Sequence, residues 1–113
     1  MKRGEIWLVN LDPTIGAEIK KVRPAIIINH DSLGTLPLRI VVPITTWKEH
    51  FSSAPWMIRL VPDHQNKLDK VSSIDCFQIR SISVKRLVRK IGVIDNQVLH
   101  EIGKALKVVL KMS

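Results

Sequence analysis

Apolar and polar residues alternate in short blocks over most of the chain and change to a helical period at its end. Glu5 to Leu11 is a short β-rich segment closed by Asp12-Pro13-Thr14, with Gly16 just beyond, so a first strand runs into a long turn-rich loop. Pro24 to Ile28 is an unbroken, Ile-dominated run, the pattern of a strand covered on both faces. Asp31, Ser32 and Gly34 mark the stretch from His30 to Leu36 as a hairpin connection into a third strand, Leu38 to Ile44. Pro43 has no N–H to give to a ladder, so that end of the strand belongs at an edge or a bulge.

Trp47 to Pro55 is polar and broken, Trp56 to Val61 predicts another strand, and Pro62 to Asp69 a turn-rich loop. Val71 to Ile79 predicts a further strand, with Val71, Phe77 and Ile79 on one side and Ile74 and Cys76 on the other; Asp75 interrupts the first set. Near the end of the chain the period changes. From Asp95, a plausible N-cap, Val98, Leu99, Ile102, Ala105, Leu106 and Val109 recur at spacings of three and four, which predicts an amphipathic helix packed on the sheet. Gly103 inside it costs about 1 kcal/mol relative to Ala, and close approach to a neighbouring element is the expected reason for it. Strands linked mostly by loops argue for an antiparallel sheet curled into a small barrel over one domain, residues 1–113.

Composition narrows the partner. Lys and Arg number 18 against 10 Asp and Glu, a net charge of +8, and 45% of the 113 residues are hydrophobic. Six of those eight net charges fall between Arg80 and Ser113, where Arg80, Lys85, Arg86, Arg89, Lys90, Lys104, Lys107 and Lys111 face only Asp95 and Glu101. A polyanion is the expected partner. No apolar run reaches the ~18 residues of a membrane span, and Met1-Lys2-Arg3-Gly4-Glu5 is unlike a signal peptide, so a cytoplasmic location is expected with no membrane partner. One cysteine, Cys76, excludes an internal disulfide and a thiolate zinc site.

Phosphate-loop, dinucleotide-binding, zincin and hydrolase-elbow motifs are all absent. Two neighbourhoods remain. The segment from Gly16 to Pro24 brings a basic loop, with Lys20 and Lys21, to Arg23, and Pro24 holds that arginine extended. Pro43-Ile44-Thr45-Thr46-Trp47 presents two hydroxyls and an indole where the third strand ends. A guanidinium and a hydroxyl brought together bind a phosphate and stabilise a pentacoordinate phosphorane, while RNA supplies its own nucleophile in the 2′-hydroxyl, so no metal or other cofactor is required. Arg-Pro before a strand and Thr-Thr after one are also ordinary sequences.

RGEIWLVNLDPTIGAE, VRPAIIIN, VVPITT and QIRSIS, in this order and spacing from Arg3 to the final helix, resemble the MazF/PemK (Kid) family of type II toxin–antitoxin endoribonuclease toxins. The resemblance implies a curled antiparallel sheet of the SH3-like barrel type shared by PemK and CcdB, with a C-terminal amphipathic helix. It further implies a homodimer, metal-independent and sequence-specific cleavage of single-stranded RNA, and a cognate antitoxin that lays an extended acidic segment over the RNA groove. By position, Arg23 matches the family's catalytic arginine and Thr45 its phosphate-binding threonine. Glu18 matches an acidic position that orients Arg23, accepts the 2′-hydroxyl proton or serves as a structural loop bond. Lys20, Lys21, Thr46, Trp47, Gln78 and Arg80 are the expected RNA contacts, Trp47 as a stacking platform. A CcdB-like gyrase inhibitor and a bare SH3-like RNA-binding module are the competing readings.

Overall fold

The computed structural model describes all 113 residues, Met1 to Ser113. Seven strands and one helix follow in order: β1 (Glu5–Asn10), β2 (Val22–Ile27), β3 (Leu38–Thr46), β4 (Met57–Leu60), β5 (Ser72–Asp75), β6 (Arg80–Ser83), β7 (Leu87–Val93) and α1 (Asn96–Val109). Every strand pair is antiparallel, in the order β4-β5-β3-β2-β1-β7, with β6 also on β3. No helix is long and apolar enough to cross a membrane.

β3 organises the sheet. On one flank it pairs with β2 through Val41, Val42 and Pro43; on the other its first half pairs with β6 and its second half with β5. Side chains alternate between two cores on the two faces. Ile6, Ile26, Val42, Ile44 and Ile74 lie on the face covered by Ile102 and Ala105 of α1. Val9, Ala25, Ile27, Val41 and Ile82 lie on the other. Two covered faces explain the uninterrupted apolar run of β2. α1 starts where its sequence predicts, with Asp95 accepting the Val98 N–H at 2.9 Å.

Four expectations need correction. The sheet curls without closing into a barrel, because no strand pairs with the outer edge of β7. A loop takes that place: the Val93 N–H donates to the Gln65 carbonyl at 3.0 Å, and that loop is shaped around the buried Asn66, whose amide bonds Asp63, Leu68 and Val61. The strand expected over Val71 to Ile79 is broken, since Asp75 accepts the Phe77 N–H at 3.1 Å and turns Cys76–Gln78 into a single 3₁₀ turn. The alternation slips there, leaving Cys76 buried and Phe77 exposed. β3 runs two residues further than expected, so Thr45 and Thr46 lie within the strand and face opposite ways. Finally, nothing lies within 4 Å of where a Gly103 side chain would begin, so that glycine serves no close approach.

Candidate active site and nucleic-acid interface

Pro43 opens the sheet. Ala25–Pro43 is the last pair between β2 and β3; beyond it β3 pairs with β5 and β2 only with β1. Arg23 and Thr45 each stand two residues past that pair, on the same face, at the mouth left where the two strands part. Both are half-buried. The Arg23 Nε–H donates to the Lys20 carbonyl at 3.3 Å, which leaves its terminal nitrogens without a protein partner, and the Thr45 hydroxyl has none either. Separate strands thus bring a guanidinium fork and an alcohol to one open place.

The β1–β2 loop overhangs this face. Asp12 accepts the Lys21 N–H at 3.0 Å and the Leu11 N–H donates to the Lys21 carbonyl at 2.9 Å, which pinches the loop at its base and holds Lys21 in the left-handed region at φ 71°. Glu18 accepts the Ile15 N–H at 2.6 Å, a bond that closes a turn within the loop, and it makes no ion pair with Arg23. Lys20 and Lys21 are exposed.

A cavity of about 500 Å³ lies between this loop and the β5–β6 turn, with Pro43 as its floor, Ala17, Glu18 and Ile19 on one side and Gln78 and Arg80 on the other. Gln78 spans it. Its Oε1 accepts the Ile19 N–H at 2.6 Å, while its Nε2 donates to the Ala17 carbonyl at 3.4 Å and to Asp75 Oδ2 at 3.1 Å. Arg80 donates to the Leu11 carbonyl at 3.3 Å. Arg23 and Thr45 adjoin the cavity without lining it.

Trp47 shares the face of Thr45, two residues further along the chain, whereas Thr46 points to the opposite face and does not join them. The indole N–H donates to Glu49 at 3.2 Å, the Phe51 ring meets Trp47 edge-on at 6.0 Å, and the Arg59 guanidinium lies 6.0 Å from its ring centre.

Three residues of this region escape sequence reasoning. Asp75 is buried beneath Gln78; burial lifts its carboxyl above the usual range despite the N–H donors of Phe77 and Gln78. The imperfect alternation at Asp75 was the available signal. Arg86 donates to the Asn10 and Asp12 carbonyls and braces the base of the loop, with no local pattern to announce it. Arg59 alternates with Ile58 and Leu60, which identifies it as an outward residue of β4 but not as the neighbour of Trp47. Of the histidines, His30 caps a 3₁₀ turn by accepting the Ser32 N–H at 3.0 Å, and no three His, Cys, Asp or Glu side chains gather as a metal centre would need.

The likeness to known proteins spans the whole chain. Residues 2–110 match the family model of the PemK-like, MazF-like toxin of type II toxin–antitoxin system. The chain is 34% identical to the endoribonuclease MazF9 of Mycobacterium tuberculosis over 99% of its own length and 98% of the relative's. Its fold superposes on a crystal structure of MazF from Deinococcus radiodurans with a TM-score of 0.82 at 23% identity, covering 99% of this chain and 97% of that one. It also matches an endoribonuclease in complex with its cognate antitoxin from Mycobacterial species, with a TM-score of 0.80 at 16% identity over 100% and 97% of the two chains. Those two likenesses speak to the fold, while the match along the sequence assigns the kinship: the chain belongs to the PemK-like, MazF-like toxins of type II toxin–antitoxin systems.

Proposed function

We propose that the chain cleaves single-stranded RNA at the mouth between β2 and β3, as the toxin of a type II toxin–antitoxin pair. Membership of the family makes it an endoribonuclease toxin, a hydrolase of RNA phosphodiester bonds. One observation carries the assignment of the site. Arg23 and Thr45 share one face at the parting of their strands, with donors that no protein group occupies. A phosphodiester fits this donor set, because the planar guanidinium engages two phosphate oxygens and the hydroxyl a third position.

The substrate's 2′-hydroxyl attacks phosphorus, the P–O5′ bond breaks, and the products carry a 2′,3′-cyclic phosphate and a 5′-hydroxyl. Arg23 neutralises the charge that builds on the phosphorane, and Thr45 fixes the scissile phosphate. An arginine stays charged at neutral pH, so its role is electrostatic stabilisation of the phosphorane and not the gain or loss of a proton, and the leaving O5′ takes its proton from solvent water. Glu18 is the one carboxylate lining the adjoining cavity, and its second oxygen, free of protein bonds, accepts the 2′-hydroxyl proton. The basic last third of the chain supplies the general attraction for RNA, with Lys20, Lys21, Gln78, Arg80 and Trp47 along the path of the strand, while Thr46, on the opposite face, takes no part. A second copy of the chain completes the toxin. An antitoxin with an extended acidic segment competes for the same basic groove.

The test is cleavage of mixed single-stranded RNA in the presence of EDTA, with the cut ends mapped. Defined cuts with 5′-hydroxyl ends, lost in Arg23→Ala and Thr45→Val while RNA binding remains, are the expected result. Binding without cutting would instead make this an RNA-binding module, and inertness towards RNA with gyrase trapped on broken DNA would make it a gyrase inhibitor.

A further inference from the structure

Four strands place a row of residues across the face that carries the mouth. Arg23 on β2 and Thr45 on β3 each stand two residues beyond the last β2–β3 pair, Ala25–Pro43; Thr45 pairs with Ser73 on β5, and Ser73 pairs with Arg59 on β4. Ile58 and Leu60 turn the other way into the helix-covered core, which fixes Arg59 on the face of Thr45. Ser73 is wholly buried between them. With neighbouring strands about 4.8 Å apart, Arg59 stands roughly 10 Å from Thr45 along the row.

Arg59 is exposed, forms no ion pair with any carboxylate, and lies over the Trp47 ring. Trp47 is held from the side by Phe51, itself met edge-on by His50 at 4.6 Å, and by the bond from its indole N–H to Glu49. The indole is therefore fixed in place, while the guanidinium above it is free to exchange partners. A fixed aromatic face beside an exposed planar cation with no carboxylate partner has the parts of a nucleobase clamp: the ring stacks on any base, and the guanidinium fork distinguishes base edges.

We propose that Arg59 and Trp47 form a subsite for one nucleobase flanking the cleaved bond, with Arg59 as the residue that determines which base is accepted there. This rests on the RNA-cleaving reading of Arg23 and Thr45. RNA crosses the strands along the row, its scissile phosphate at Arg23 and Thr45 and a neighbouring base stacked on the Trp47 ring, where the Arg59 fork moves aside from the ring to meet the edge of the base. No side chain on the row between Thr45 and Arg59 competes, since Ser73 is buried and turned to the Met57 sulfur at 3.1 Å.

The experiment compares wild type, Arg59→Ala and Arg59→Lys on a randomised RNA pool, sequencing the 5′-hydroxyl ends. Thermal melting confirms that each variant is folded. Expected is a loss of preference of about tenfold at one position flanking the cut in Arg59→Ala, with the other positions unchanged. Arg59→Lys should not restore it, because an ammonium lacks the planar fork. A parallel selection from a pool of uncleavable 2′-O-methyl RNA reads the same preference through binding, so a wild type that fails to cut would overturn the cleavage reading and leave this one still decided by binding. Unchanged preference in Arg59→Ala in both pools overturns the proposal. A uniform loss at all positions also overturns it, since that marks a general charge contact.

Discussion

Gln78 accepts the Ile19 N–H at 2.6 Å across 59 positions of sequence, and through that bond the β5–β6 turn holds the loop that overhangs the face carrying Arg23 and Thr45. Both ends of the amide are occupied, because its Nε2 donates to Asp75 and to the Ala17 carbonyl. Asp75 fixes the orientation: a carboxylate oxygen facing Nε2 leaves Oε1 for the loop. The side chain expected to meet RNA is thus already engaged in positioning the loop.

Replacing Gln78 by Ala should release the loop without unfolding the protein. Two partly buried hydrogen bonds are lost, at about 1 kcal/mol each. Amide exchange at Ile19 should rise well above wild type while strands β1 and β2 keep their protection. Unchanged exchange at Ile19 would show that the loop is held by other means, such as the bonds of Asp12 and Glu18 within it.

Glu5 predicts the acid limb of stability. Burial alone would raise its carboxyl, but hydrogen bonds from the Trp7 indole, the Lys2 N–H, the chain's amino terminus and Lys90 outweigh it and lower the pKa from 4.5 to about 2. A folded pKa below the unfolded one gives stability that is complete above about pH 4.5 and lost as pH falls towards 2. The full amount is about 2–3 kcal/mol after allowing for the solvent around Lys90 and the terminus. Urea denaturation of wild type and Glu5→Gln from pH 2 to 6 should show the two converging at the acid end; a constant gap across that range would refute it.

Cys76 should be inert in the folded protein. It is fully buried, and burial together with the neighbouring Asp75 carboxylate pushes its thiol pKa up to about 12. Labelling by a thiol reagent at neutral pH should follow the global unfolding rate as denaturant is raised. Rapid labelling in native buffer would mean that the turn Cys76–Gln78 opens locally, and with it the hold on Ile19.

The parts of this molecule legible in its sequence are those set by local period and punctuation. β1, β2 and α1 declare themselves by apolar spacing and by Asp95, and Arg23-Pro24 and Pro43-Ile44-Thr45 stand out as the candidate neighbourhoods that the fold then brings to one face. What the sequence hides comes from distant pairings. β7 went unseen because Arg89 and Lys90 interrupt its apolar pattern and exposed Val88 blurs its two faces, while its place is fixed by β1, more than 70 residues away, with two register shifts. β6 is four residues long and exists through its pairing with the first half of β3. The extended barrel strand expected over Val71 to Ile79 failed at a single side-chain hydrogen bond, Asp75 to Phe77, which no hydropathy period records. Arg59 and Trp47 are twelve residues apart and meet only because β4 returns alongside β5.

Two glycines that look alike in sequence should respond in opposite ways to alanine. Neither occupies the left-handed region, so space alone decides. A side-chain carbon on Gly92 would meet the Gln65 and Asn66 carbonyl oxygens at 2.5 Å and 2.6 Å, both backbone atoms of the loop that seals the edge of β7. That loop must retreat, breaking the bond from Val93 to Gln65, so Gly92→Ala should cost about 1–3 kcal/mol. Gly103 faces open space within a helix, and Gly103→Ala should stabilise by about 0.5–1 kcal/mol by restricting the unfolded chain. Denaturation midpoints of the two variants against wild type provide the measurement. If Gly92→Ala is as stable as wild type, the 61–71 loop does not seal the sheet edge. If Gly103→Ala is destabilised, the open face of α1 is covered in solution, and the second copy of the chain invoked for the toxin is the first candidate to cover it.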